Sequence, residues 1–294
     1  MGYLNSLEKS KKYLGVIMEL FNTGSLTARL DTESQQFDWM DADELKVLIV
    51  KTNGLGDYEK DTGYPQGAIT TAWETLKLKL DRGVKFLLDR VDNDEVLGLT
   101  IGRAAQNFTS FHMIPELDAT RFANYAQGAG HKETGVTLNA SNILQAFDDA
   151  AVTMNNKHVP QQGRILFVNN GLEGLVRRGV SRQWGSESSI NTIVTEYNGM
   201  NIVYVPGTRF YDLIELLPGS ASGWGYKKDS EDGKDINFML IHPMSVVQAA
   251  KTASSKFVSA DENQNVDSNM FAFRVFHDAF VMEPWKDGVY ASTK

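Results

Sequence analysis

Lys46-Val-Leu-Ile-Val-Lys-Thr52 and Ile69-Thr-Thr-Ala-Trp-Glu-Thr-Leu-Lys-Leu-Lys-Leu80 flank a turn-rich tip running from Asn53-Gly-Leu-Gly-Asp57 to Gly63-Tyr-Pro-Gln-Gly67. The first segment is apolar at its centre. In the second, Leu76, Leu78 and Leu80 face away from Thr75, Lys77 and Lys79, the two-residue period of a strand. Together they predict a hairpin of about a dozen residues per arm, and an isolated two-stranded ribbon is at best marginally stable in water. This ribbon therefore needs cover, either from the body of its own chain or from a neighbouring subunit.

Upstream, Leu7, Leu14, Met18 and Phe21 share a helical face and predict a short amphipathic helix ending near Gly24, docked on its own domain or serving as a partner-binding arm. Ser25 to Asp43 is polar and reads as an extended arm. Downstream, Asp92-Asn-Asp-Glu95 supplies an N-cap and acidic first-turn residues for a long helix. Leu97, Ile101, Ala104, Phe108 and Phe111 mark its apolar face, and from Asn93 to Ile114 it would extend about 33 Å. Pro115 is expected to kink or restart it, with a second piece reaching Tyr125 and stopping at Gly128.

Ser141 to Lys157 predicts a helix with Ile143, Leu144, Phe147, Ala151 and Met154 inward. Arg164 to Val168 reads as a buried strand, Leu172 to Arg178 as a helix, and Asn198-Gly199 as the turn of a hairpin between Thr192–Tyr197 and Met200–Val205. The Gly-, Ser- and charge-rich stretch Pro218 to Asp235 reads as a long exposed loop before the strand Ile236 to Ile241. In the tail, Phe271, Phe273, Val275 and Val281 share a strand face. The class is α+β.

Composition narrows the function. Hydrophobic residues at 42% and charged residues at 22% are those of a folded globular chain of 294 residues. A net charge of -8 disfavours wrapping a polyanion, and the absence of cysteine removes disulfides, thiolate nucleophiles and zinc fingers. No apolar run approaches the roughly 20 residues that span a bilayer, and the charged N-terminus lacks the apolar block of a secretory signal, so a cytoplasmic site of synthesis and use is expected. Gly128-Ala-Gly-His-Lys-Glu-Thr134 lacks the Gly-Lys-Ser/Thr closure of a phosphate loop, and Gly219-Ser-Ala-Ser-Gly223 puts alanine where a nucleophile elbow needs serine. The five histidines form no metal pair, so no catalytic residue, cofactor or metal is assigned.

Three stretches carry a resemblance: Asp81-Arg-Gly-Val-Lys-Phe-Leu-Leu-Asp89 leading into Asp92–Glu95, Ile114-Pro-Glu-Leu-Asp-Ala-Thr-Arg-Phe-Ala123, and Phe273-Arg-Val-Phe-His-Asp-Ala-Phe-Val281 with Lys286-Asp-Gly-Val-Tyr290. In their order and spacing the chain resembles the major capsid proteins of tailed bacteriophages, with the Hong Kong 97-type shell fold. The resemblance implies an N-terminal arm at 1–43, an E-loop hairpin at 44–90, a spine helix in a peripheral domain at 91–139, an inserted axial domain at 140–254, and peripheral C-terminal strands at 255–294. It also implies that copies of the chain assemble as hexamers and pentamers of an icosahedral shell, with a portal and scaffolding or decoration proteins as further partners. Packaged DNA would be enclosed without sequence-specific binding, and no membrane is involved. The location implied is the virion, with the host cytoplasm during assembly.

Aromatics are enriched at interface hot spots. Asn53, Gly54, Asp57, Tyr58, Tyr64 and Trp73 are accordingly the expected intersubunit contacts, against the competing reading that Tyr64 and Trp73 fold back on their own chain. Trp224, Lys227 and Lys228, in the Gly219–Lys234 loop, either line a capsomer centre or are simply solvated. Two other functions compete: an encapsulin-like compartment shell, and a cytoplasmic enzyme with an unrecognised carboxylate site.

Overall fold

A computed structural model describes residues 19, 23–31, 38–39, 44–61, 63–89, 99–184, 193–220, 223–263 and 266–294. The helix expected at Met1–Phe21, apart from Glu19, lies outside the described residues, as do the cap Asp92–Glu95 and the helix start at Asn93. Along the chain come β1 (Asp38–Trp39), β2 (Glu44–Thr52), β3 (Ile69–Lys77), β4 (Leu80–Asp89), α1 (Leu99–Phe108), a π-helical turn (Thr109–Met113) and α2 (Ile114–Gly128). Then follow β5 (His131–Glu133), α3 (Ile143–Asn156), β6 (Ile165–Asn169), α4 (Glu173–Trp184), β7 (Glu196–Tyr197) and β8 (Met200–Val205). The chain closes with β9 (Ile214–Leu216), β10 (Tyr226–Lys228), β11 (Ile236–Ile241), β12 (Val246–Val258), β13 (Ser268–Val281) and β14 (Val289–Thr293).

Two sheets build the body. The larger has six strands in the order β5-β14-β11-β6-β8-β7. Its central strands are apolar on both faces because helices cover both. Phe167, Met239 and Ile241 pack with Phe122 and Tyr125 of α2, while Leu166, Val168, Phe238 and Leu240 pack with Ile143, Phe147 and Met154 of α3. Burying each such side chain contributes roughly 1.5–3 kcal/mol. The smaller sheet, β12-β13-β4, presents Phe271, Phe273 and Val275 to Ile114 and Leu117 of α2.

Local signals account for the ends of elements. Asn198 and Gly199 take positive φ of 49° and 76°, the mirror-image turn that matches strand twist, so β7 and β8 pair as expected. The carbonyls at the C-terminal end of α3 lack helical partners. The backbone N–H groups of Lys157 and Val159 meet that need at Met154 O, at 3.2 and 3.1 Å, and His158 N at Asn155 O, at 3.0 Å, while the buried Arg164 guanidinium ties the following turn to the helix through Ala151 O at 3.3 Å, Val159 O at 2.7 Å and Asn155 Oδ1 at 2.7 Å.

Several expectations change. The irregularity in the long helix precedes Pro115: the π turn lets Ile114 N donate five residues back to Thr109 O, and the prolyl ring follows at the first turn of α2. The buried side chains are Ala105, Thr109 and Met113, spaced by four, while Ala104 and, within the turn, Phe111 are exposed. The paired arms of the hairpin stop at Lys77; Leu80–Asp89, expected within the 44–90 hairpin region, pairs with β13 instead. β12 runs unbroken through the domain limit expected at 254. β14, expected among peripheral strands, pairs antiparallel with β11 and parallel with β5 in the larger sheet. Pro218–Asp235 is no free loop, because β10 folds back on β9 within it.

The end of α2 meets the returning chain backbone to backbone at Gly130, whose N–H donates to Lys286 O at 2.9 Å. A β-carbon there would lie 2.6 Å from Lys286 O and 2.8 Å from Asp287 N, whereas one at Gly174 meets open space. Gly130→Ala should lower the unfolding free energy by about 1–3 kcal/mol. Gly174→Ala, within α4, should raise it by about 0.4–1 kcal/mol. Urea titration with an unchanged m-value reads both.

Candidate functional site

The ribbon of β2 and β3 pairs antiparallel from Glu44↔Lys77 to Thr52↔Ile69. Alternation along the two strands gives it two distinct faces. Leu45, Val47 and Leu76 lie on one, and at the base Leu45, Leu76 and the following Leu78 are buried against Val247, Ala249 and Met282. Glu74, next in line, is half-buried, and burial followed by the neighbouring Glu283 raises its carboxyl above the ordinary range. Only the base is seated. Nine residues per strand at about 3.3 Å each carry the ribbon about 30 Å.

The other face carries Val50, Ile69 and Trp73, and these stay exposed, Trp73 at 57%. From Ile69 to Trp73 every residue is exposed, so neither face is covered there. At the tip Glu59 and Gly63 exchange backbone hydrogen bonds of 3.2 and 2.7 Å, and the rings of Tyr58 and Tyr64 lie 5.0 Å apart. Tyr64 is 88% exposed and Leu55 is fully exposed. Asn53, Gly54 and Asp57 are exposed with them. All six expected contact residues thus lie together on one projecting ribbon, and Tyr64 and Trp73 do not fold back on the chain. Val50 and Ile69 belong to the same apolar stripe and were missed. The two-residue spacing Ile69, Thr71, Trp73 was the available signal.

The expected axial residues separate. Trp224 lies in the β9–β10 turn, where Gly219, Gly223 and Gly225 take positive φ and the indole packs on Gly219. Arg82 of β4 ties this turn down, with Nε 2.5 Å from Glu116 Oε1, Nη1 donating to Leu217 O at 2.9 Å and Nη2 to Gly225 O at 3.2 Å. Lys227 pairs with Glu215 at 2.9 Å, and Lys228 with Asp235 at 3.0 Å while lying over the Tyr211 ring. Trp224 overhangs an apolar cavity of about 250 Å³ lined by Phe86, Phe108, Phe273 and His277. Among the described residues, no group of three or more acidic, histidine or cysteine side chains could hold a metal ion, and no helix is long and apolar enough to cross a membrane. What the geometry offers is contact area.

No family model matches the sequence, and no curated protein matches it. Solved structures do match. The capsid structure of the cyanophage P-SCSP1u superposes with a TM-score of 0.63 at 12% identity, covering 86% of this chain and 84% of that one. The asymmetric unit of the bacteriophage PhiM1 mature capsid gives 0.60 at 13% identity, covering 86% and 82%. A virus-like particle from Pyrococcus furiosus gives 0.57 at 10% identity, covering 97% and 99%. The chain has the Hong Kong 97-type shell fold. In its terms α1, the π turn and α2 form the long spine helix, and the ribbon stands where the E-loop was expected.

His277 is buried beside the cavity with no hydrogen-bond partner on Nδ1, and burial, then the nearby Arg121 and Arg82, lowers its pKa to about 3. The folded chain keeps it neutral, whereas the unfolded chain protonates it below about 6.5. Stability should therefore fall by up to about 1.4 kcal/mol per pH unit as pH drops from 6.5 towards 3. His277→Leu should lose that component of the slope, read as the difference between urea titrations of the two proteins across this range.

Proposed function

We propose that the chain is the major capsid protein of a tailed bacteriophage, whose activity is assembly with copies of itself into an icosahedral shell around packaged double-stranded DNA. One observation carries the reading: a ribbon seated only at its base, apolar along an uncovered face, projecting from a body of shell fold. Two-stranded ribbons are not stable bare, and large apolar stripes on a soluble chain mark contact sites. A second copy of the same body supplies the cover. We assign the contacts to Leu55, Tyr58, Tyr64, Ile69 and Trp73, with Asn53, Gly54 and Asp57 at the tip, and assign the Trp224–Lys228 hairpin a secondary place facing neighbouring copies.

The net charge of -8 agrees with a container. Each neutralised phosphate adds affinity, and an acidic wall lets DNA pack without adhering. The chain is structural in this reading, with a portal and scaffolding or decoration proteins as further partners, the virion as its place, and the host cytoplasm as the site of assembly. A second reading, a protein compartment shell, draws on the near-complete coverage of the Pyrococcus furiosus particle. Purified native particles distinguish them by content, nucleic acid or protein.

The ribbon is tested directly. Leu55→Asp with Trp73→Lys should leave the subunit's unfolding free energy, read by urea titration, within about 0.5 kcal/mol of the original, since both sites are exposed. It should abolish shells, because hot-spot losses of about 2 kcal/mol or more recur at every copy. Size-exclusion chromatography with negative-stain microscopy, with scaffolding components present, reads the result; shells at unchanged yield would refute the assignment.

A further inference from the structure

The segment Ser25–Asp31 crosses α2 without joining any sheet, its regular part being a short 3-10 turn from Thr27 to Leu30. It is held by one carboxylate. Asp118 of α2 is completely buried, and its Oδ1 accepts from Ser25 Oγ at 2.7 Å, from Thr27 Oγ1 at 2.7 Å and from Thr27 N at 3.3 Å. Its Oδ2 accepts from Leu26 N at 3.1 Å, with Arg209 Nη1 at 3.4 Å. Arg121, one turn further along α2, donates to Thr27 Oγ1 at 2.9 Å. Leu30 is buried beside Phe122 and Tyr125.

A carboxylate taken out of water costs several kcal/mol unless its lone pairs are filled. Here the strap fills most of them, so each side depends on the other. Without the strap Asp118 loses four donors and keeps the long contact to Arg209; without Asp118 three consecutive residues lose their acceptor. The strap also reaches the hairpin. Gln248 Nε2 donates to Thr27 O at 2.8 Å, and its neighbours on β12, Val247 and Ala249, form the floor under Leu45, Leu76 and Leu78.

We infer that Ser25–Asp31 is a releasable strap latched by Asp118: opening this contact frees the strap and loosens the hairpin base, while the six-stranded sheet stays folded.

Arg29 is the reporter, because its side chain is exposed while its backbone is held. Trypsin cleavage after Arg29 requires local opening. In the full-length chain Asp118→Asn, which replaces the acceptor pair with a half-donor, should raise the cleavage rate after Arg29 at least tenfold. Cleavage after the buried Arg164 should stay slow, and amide exchange at Leu45 and Leu76 should quicken. Ser25→Ala with Thr27→Val removes donors from the strap side and should give the same pattern, which decides the matter if Asp118→Asn does not fold. Unchanged cleavage after Arg29, equal acceleration after Arg164, or undisturbed exchange at Leu45 and Leu76 in the strap variant would each overturn the inference.

Discussion

Helix α2 has to satisfy two sheets at once. Ile114 and Leu117 near its start lie on the three-stranded sheet, Phe122 and Tyr125 further on lie under the six-stranded sheet, and Asp118 between them holds the strap. A helix of 3.6 residues per turn presents successive turns at nearly the same angle, so serving two differently placed sheets demands careful phasing. The π turn just upstream supplies it, turning Met113 and Ile114 inward and Phe111 outward. Once the helix is fixed, the sheets, the strap and the returning chain at Gly130 have little freedom left.

The ribbon follows from what that body lacks. β12, β13 and the following Met282 offer one apolar floor, formed by Val247, Ala249 and Met282 with Phe276 and Phe280, on which Leu45, Leu76 and Leu78 are buried and Val47 is partly buried. Among the described residues, Ile69 to Trp73 are all exposed. The ribbon therefore leaves Val50, Ile69 and Trp73 exposed along one face.

The legible parts of the sequence were those in which period and turn chemistry agree. The helix at Ile143–Asn156, the strands at Ile165–Asn169 and Ile236–Ile241, and the Asn198-Gly199 turn each carry both signals. β12 carries neither: Gln248-Ala-Ala-Lys-Thr-Ala-Ser-Ser-Lys256 is poor in β-branched residues, and its strand state comes from twelve register pairs with β13. The β9–β10 hairpin was hidden because glycine and serine suggest a loose loop, while the groups that tie it down come from Arg82, far away in sequence. The exposed residues of the ribbon proposed as contacts were readable from aromatics at a turn. The Asp118 latch was not, although an aspartate and an arginine three apart within an otherwise apolar helix face were its trace.

Identities of 10–13% to solved shells show how little of this depends on particular side chains. Apolar volume at the right period rebuilds the two cores, and many sequences supply that. Polar contacts that fix position are less interchangeable. Arg82 gathers the β9–β10 turn onto β4, Arg164 closes α3, and Asp118 gathers the strap onto α2; each aligns a segment that apolar packing alone would leave free to slide. The latch and the ribbon converge on adjacent residues of β12, so a force on either outer part reaches the same strand before it reaches the cores. The described residues thus divide into two apolar cores and two outer parts, strap and ribbon base, that both touch β12.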